Sequence, residues 1–308
     1  MSAYCVQRGC YRTVSMSELD AALNKKAAPT AEVKTTAELF KPIDEVEEGE
    51  GLKMLIYGKP ESGKTYFALS CPEPIYVIST EFGVKKLRHH FPDKEIHLLE
   101  CNVPFAAKPV DRKGNIIDTP FNTDPETSLK KIEDASFALE KIKGGTVIID
   151  SASDIWSWLS LYLGNVGERS TSKKTGEEFI KGTEWAKINE AFRILINRFN
   201  SLPCHLVITA RQKEDLEGNV TFKASKDVDH FVDLVVHLEK LPRPIPGQEG
   251  KFTYVRQGTI TKCRYQSMNN LAIQDITFDK LKDEITKLDP KLKRIFEVKL
   301  QPKPSVLS

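Results

Sequence analysis

The sequence predicts an α/β protein: a mostly parallel central sheet flanked by helices, with an antiparallel hairpin at one edge. Three observations carry that expectation. Lys53 to Tyr57 is a short apolar run leading into Gly58-Lys59-Pro60-Glu61-Ser62-Gly63-Lys64-Thr65. This octet satisfies G-x-x-x-x-G-K-[ST], the pattern of a phosphate-cradling loop set between a strand and a helix, and Thr65 to Leu69 can open that helix. Strand-length apolar runs then recur with helical stretches between them, as parallel βαβ units require. Finally, Thr146-Val147-Ile148-Ile149-Asp150 is apolar until a terminal carboxylate, which fits a strand covered on both faces.

Taken in order, residues 1–50 lack sustained periodicity and read as an N-terminal extension and linker. Met16 to Leu23 can form a short helix capped by Ser17, and Glu45 to Glu50 is an acidic run able to solvate the approach or bridge to a neighbouring subunit. The main domain spans 51–270. Its second strand is Pro74 to Ser79, followed by Glu81 and a helix from Val84 to Phe91; Glu95 to Leu99 is the third strand. Prolines and Asp111-Arg112-Lys113-Gly114-Asn115 mark 102–127 as an insertion. Leu129, Ile132, Ala135 and Leu139 give Ser128 to Lys143 a helical face, stopped by Gly144-Gly145.

Asp154 to Leu163 is a helix whose Trp156 and Trp158 read as packing residues. Gly164 to Gly182 reads as a polar loop, Thr183 to Asn200 as a helix, Cys204 to Thr209 as a central strand and Arg211 to Lys226 as a second polar loop. Leu234 to Leu238 continues the sheet, and Phe252 to Val255 with Thr259 to Arg264 alternate like an antiparallel pair at its edge. Residues 271–308 hold a helix, Phe278 to Leu288, and a loose proline-containing end.

Composition narrows the function classes. The 308 residues are 40% hydrophobic and 29% charged, with a formal net charge of +2, so any affinity for nucleic acid must come from local basic loops. Six scattered cysteines without a C-x-x-C pair suit reduced thiols in a cytosolic setting better than a disulfide frame or zinc site. The histidines show no metal spacing, and no run is long and apolar enough to span a bilayer.

The site chemistry starts at the octet. Gly58 and Gly63 let the backbone turn tightly enough to aim successive N–H groups at phosphate oxygens. Lys64 reaches the outer phosphates of ATP, the Thr65 hydroxyl is placed to ligate Mg²⁺, and Tyr66 beside the loop is a candidate adenine contact. Asp150 has the placement of a second magnesium-holding group, its alternative being a helix N-cap. Glu81, just past the second strand, can orient and deprotonate an attacking water, or simply cap the next helix.

A phosphate loop on the first strand, Glu81 after the second and Asp150 ending a third together resemble the RecA/RadA-type recombinase ATPases. Val147 to Ser151, Trp185, Leu206 to Arg211 and Val228 to Leu238 resemble phage-type RecA-like ATPases, several of them single-strand annealing proteins of the Sak type. The likeness covers about residues 50–270. It implies a RecA-like P-loop NTPase core hydrolysing ATP with Mg²⁺, Glu81 as the water-activating base and Lys64 on the transferred phosphate. The residue sensing the γ-phosphate would be Thr209, Arg211 or Gln212, where a usual recombinase has Asn-Gln. Lys262 and Arg264 resemble the Lys-x-Arg finger that reaches a neighbour's nucleotide, their alternative being the solvated face of an edge strand. The resemblance also implies a homo-oligomer, ring or filament, acting on single-stranded DNA, with a single-strand binding protein as a further partner and a phage-encoded, cytoplasmic setting. DNA contacts would fall on Arg169, Lys173, Lys174 and Lys181 in one loop and Lys213, Lys223 and Lys226 in the other, with Phe179 and Phe222 as the aromatic candidates for stacking. The competing readings are a nucleotide-dependent switch or assembly ATPase without a DNA role, a hexameric helicase-like motor and, last, a small-molecule kinase.

Overall fold

In the computed structural model the described residues are 4–5, 12–13, 51–106, 123–166, 169–171, 178–180, 182–215, 217–225, 227–248, 250–265 and 268–298. The chain divides into two units, Met1–Glu47 and Glu48–Ser308. In the first, strand β1 (Tyr4–Cys5) pairs antiparallel with β2 (Arg12–Thr13).

The second unit is built on alternation. Strand β3 (Lys53–Gly58) sends Met54 and Ile56 to one face of a sheet and Leu55 and Tyr57 to the other, all four buried. Five further strands lie parallel to it: β4 (Ile75–Ser79), β5 (Ile96–Glu100), β6 (Thr146–Asp150), β9 (His205–Glu214) and β11 (Leu234–Pro244). Antiparallel β12 (Phe252–Cys263) and β13 (Ala272–Gln274) complete the path β13-β12-β11-β3-β9-β6-β4-β5, and β10 (Val220–Phe222) pairs off β9, making nine strands. Period-2 patterning of apolar residues on both faces is what a sheet covered on both sides needs.

Helices supply the covers. Helix α3 (Pro125–Ala138), α4 (Ala152–Val166) and α5 (Gly182–Asn200) lie over the face carrying Leu55, Val147, Ile149, Leu206 and Ile208. Ile188, Phe192, Leu195, Ile196 and Phe199 recur at helical spacing along α5 and are buried. The opposite face is covered by α1 (Lys64–Leu69), α2 (Val84–Leu87) and α7 (Phe278–Leu288), through Phe67, Leu69, Val84, Phe278, Leu281 and Ile285. Each fully buried Leu, Ile or Phe contributes roughly 1.5–3 kcal/mol relative to exposure. A short helix α6 (Val228–Phe231) precedes β11, and Cys71, Cys101, Cys204 and Cys263 are free and buried.

Several expected boundaries move. Helix α3 starts at Pro125 rather than Ser128, because Asp124 caps it by accepting from the backbone N–H groups of Glu126 and Thr127. The stretch expected as a polar loop at 164–182 contains β7 (Arg169–Thr171) paired antiparallel with β8 (Glu178–Ile180). The second expected loop is a hairpin too: Arg211 to Glu214 continue β9 and pair with β10. Phe252 to Val255 and Thr259 to Cys263 do not pair with each other. They are one strand, β12, laid along the whole of β11. Most of the 102–127 insertion lies outside the described residues.

A buried histidine gives the fold a pH dependence. His205 is 1% exposed, accepts a hydrogen bond at Nδ1 from the Leu52 N–H at 3.0 Å, and lies beside Lys53. Burial, reinforced by that ammonium, pushes its pKa down from 6.5 to about 4. The unfolded chain therefore takes the proton first as pH falls, and the stability tied to neutral His205 is complete above 6.5 and lost on descent to about 4. The shift corresponds to about 3 kcal/mol. Chemical denaturation from pH 7 to 4 is expected to show that loss in the natural chain and a total loss smaller by about this amount in His205→Asn.

Candidate active site

The phosphate loop is shaped by close backbone approach. A Cβ on Gly58 would collide with the Leu238 carbonyl oxygen, so only glycine lets the end of β3 lie against β11 at this level. Gly63 adopts φ 102° as the residue before α1, and Glu61 holds a left-handed φ of 62°. Lys64 folds back over the loop, its ammonium donating to the carbonyls of Gly58 at 3.0 Å and Lys59 at 2.9 Å. Burial lowers its pKa, opposed by the charges of Glu81 and Asp150. Lys59, Pro60 and Glu61 are exposed, and Glu61 pairs with Lys240 at 3.4 Å.

Behind the loop stands one carboxylate. Asp150, 2% exposed at the end of β6, accepts from the Thr65 hydroxyl at 2.8 Å and from the Thr209 hydroxyl at 2.5 Å. Burial raises its pKa, and the two hydroxyl hydrogen bonds pull it back. Strand order explains the trio. β9 runs between β3 and β6, so its Thr209 comes level with both Ile56 and the tip of β6.

Glu81 lies past the end of β4, whose Ser79 is level with Asp150. Its Oε1 accepts from Arg211 Nη2 at 2.8 Å, Arg211 Nε at 3.2 Å and the Ser151 hydroxyl at 3.2 Å. Arg211 Nη2 also meets Asp154 at 2.8 Å, and Asp154, 3% exposed, accepts from the Thr80 hydroxyl at 2.9 Å. Burial raises the Asp154 pKa, and Arg211 counters it. The Arg211 backbone N–H donates to the Ser153 hydroxyl at 2.8 Å.

These residues suit a nucleotide with a hard cation. The Ser62 hydroxyl is buried in the loop with no hydrogen-bond partner, the Lys64 ammonium has only carbonyl partners, and Thr65 with Asp150 offers oxygen ligands. Tyr66 lies under the Arg256 guanidinium, 5.0 Å from the ring centroid, with Phe91 and His90 beside it.

Other expected residues are placed elsewhere. Gln212 bonds His237 at 3.0 Å, on the β11 side of β9, so of the three sensor candidates only Arg211 faces Glu81. Lys262 and Arg264 lie at the amino-terminal end of the parallel strands, the opposite end from the loop, where Lys262 donates to the Asp229 carbonyl at 2.8 Å and Arg264 to the His230 carbonyl at 2.7 Å. Lys213 lies on β9 opposite Thr221, Lys223 follows β10, and Arg169 lies on β7 opposite Ile180. Lys173, Lys174, Lys181 and Lys226 lie outside the described residues. Asp154, Thr80, Ser151 and Arg256 were not expected at the site. The run Asp150-Ser151-Ala152-Ser153-Asp154 held the one available signal, since a strand-ending aspartate followed by a helix start places a second carboxylate on the first turn.

The profile of a family described as the AAA domain matches residues 50–261, well over half of the chain, so the chain belongs to that family. No curated protein matches it. AAA domains are P-loop ATPase modules that bind nucleotide, usually with Mg²⁺.

Arg211 neutralises a nearly buried carboxylate, so removing it alone leaves Asp154 charged and unpaired. Arg211→Ala is expected to cost about 2 kcal/mol, below the 3–5 of a fully buried pair because Arg211 is partly exposed. Arg211→Ala combined with Asp154→Asn is expected to recover most of it. Urea denaturation of the four forms measures the coupling.

Proposed function

We propose that this chain is a Mg²⁺-dependent ATPase of RecA-like character that works as an oligomer on single-stranded DNA. The observation that carries the catalytic half is the joint placement of Lys64, Thr65, Asp150 and Glu81 at the carboxyl ends of β3, β6 and β4, where an open parallel sheet binds its ligand. Thr65 and Asp150 would hold Mg²⁺, which when bound neutralises charge on the phosphates. Lys64, released from the Gly58 and Lys59 carbonyls, exchanges them for phosphate oxygens. Glu81 accepts the proton of the attacking water.

Arg211 bears on the rate. It holds Oε1 of Glu81, which leaves Oε2 as the oxygen able to take a proton from water until the guanidinium is drawn off. A γ-phosphate is an anion able to draw it away, which is the sensor role. The nucleic-acid half is supported by the resemblance of the residue pattern and by the exposed Lys223 on the β9–β10 hairpin that begins at Arg211. Assembly of neighbouring subunits would bring Lys262 and Arg264 to another chain's nucleotide.

Steady-state ATP hydrolysis with and without oligothymidylate tests both halves. Lys64→Ala is expected to abolish nucleotide affinity, and Glu81→Gln to leave affinity within about twofold while turnover falls about 10²–10⁴-fold. Stimulation by single strands, with growth in particle size on adding an ATP analogue and DNA, is the expected result. A rate and particle size indifferent to DNA, with no DNA binding at low salt, would leave only a nucleotide-dependent switch.

A further inference from the structure

Past the strand tips, β11 and β12 continue as a two-stranded arm. Leu238 is level with Gly58, so residues 239–244 and 252–257 extend beyond the phosphate loop, and most of them are exposed. The register sets Pro244 opposite Phe252, Pro242 opposite Tyr254 and Lys240 opposite Arg256, and these six side chains share one face. Phe252 is 57% and Tyr254 60% exposed. Lys240 sits 4.8 Å from the Tyr254 ring centroid, and Arg256 covers Tyr66. Of the nearby carboxylates, Glu61 pairs with Lys240, and Glu239 belongs to the opposite face, 3.9 Å from His237.

Two exposed aromatic rings, two cations and two prolines therefore share one face, and Leu241 points to the other side. The core of a protein–protein interface is depleted in lysine, whereas here Lys240 lies against the Tyr254 ring. A single-stranded nucleic acid presents what this face lacks, namely flat unpaired bases joined by anionic phosphates.

We propose that this face of the β11–β12 arm binds single-stranded nucleic acid, with Phe252 and Tyr254 each stacking on a base and Lys240 and Arg256 meeting phosphates. This rests on the single-strand reading given above and names its contact surface. Spacing favours an unpaired strand. Side chains two residues apart on a strand stand about 6.7 Å apart, twice the 3.4 Å per base of a duplex strand. Neighbouring bases can occupy both rings only when unstacked from each other.

Anisotropy of a labelled oligothymidylate with the full chain provides the test, across a series of salt concentrations. Phe252→Ala/Tyr254→Ala is expected to weaken binding at least about tenfold with the salt slope kept, since no charge is lost. Lys240→Gln is expected to make the slope shallower by about 0.7. Phe252→Tyr should retain binding, and a fluorescent ATP analogue should bind all variants alike. Natural-level binding by the double alanine variant overturns the proposal and leaves the single-strand reading standing. So does a change confined to nucleotide affinity or to particle size, which would make the arm a base contact for ATP or a contact between copies. Absence of binding by the natural chain removes the single-strand reading and this inference together.

Discussion

A single carboxylate with two hydroxyls on it sets the geometry of the nucleotide site. The phosphate-loop strand β3 and Asp150's strand β6 are not neighbours, because β9 runs between them. Two strand spacings amount to about 9.5 Å, more than an aspartate can bridge to the loop by itself. Thr65 closes the gap from the start of α1 and Thr209 from the intervening strand. Burial makes charge on Asp150 costly, and two donors lower that cost. A hydroxyl that donates keeps lone pairs free. Thr65 can therefore tether Asp150 and still offer its oxygen to a cation.

Around this centre is a second layer in which one cation serves two anions. Arg211 lies between Glu81, a third exposed, and Asp154, nearly buried. The inner member needs the guanidinium for stability, while the outer one can exchange it for solvent or another donor. Arg211 can satisfy both, since breaking its Glu81 bonds leaves the Asp154 contact in place. Its backbone is tied into the hairpin as well, through the Lys223 N–H at 2.7 Å from its carbonyl. Displacement of that hairpin therefore acts on the Arg211 backbone from which the guanidinium reaches Glu81.

Local sequence signals revealed much of this and failed where partners are distant. The loop octet, the apolar 146–150 strand and the amphipathic 278–288 helix each carry their own period or motif, and the last is observed with the expected bounds. The hairpins at 169–180 and 211–222 read as loops because their paired segments are only three or four residues long, too short for a period to stand out from the polar residues around them. β12 split into two in the reading because Arg256, Gln257 and Gly258 interrupt its apolar pattern, while the strand is held by its ladder to β11. Asp154 and Arg211 are 57 residues apart in sequence, and their pairing depends on α4 and β9 meeting.

Strand β12 carries cations at both ends, and register decides which nucleotide each can serve. Arg256 is opposite Lys240, two residues past the Leu238–Gly58 level, and its side chain touches Gly63. Lys262 is opposite Val235, which is level with Leu55, three residues short of Gly58. That is about 10 Å down the sheet and two strands across, beyond the reach of a lysine side chain. The two cations are thus unequal: Arg256 lies beside the chain's own loop and Lys262 does not. Lys262 and Arg264, now paired with Asp229 and Asp233, can meet phosphate only on another molecule, at the cost of releasing those carboxylates.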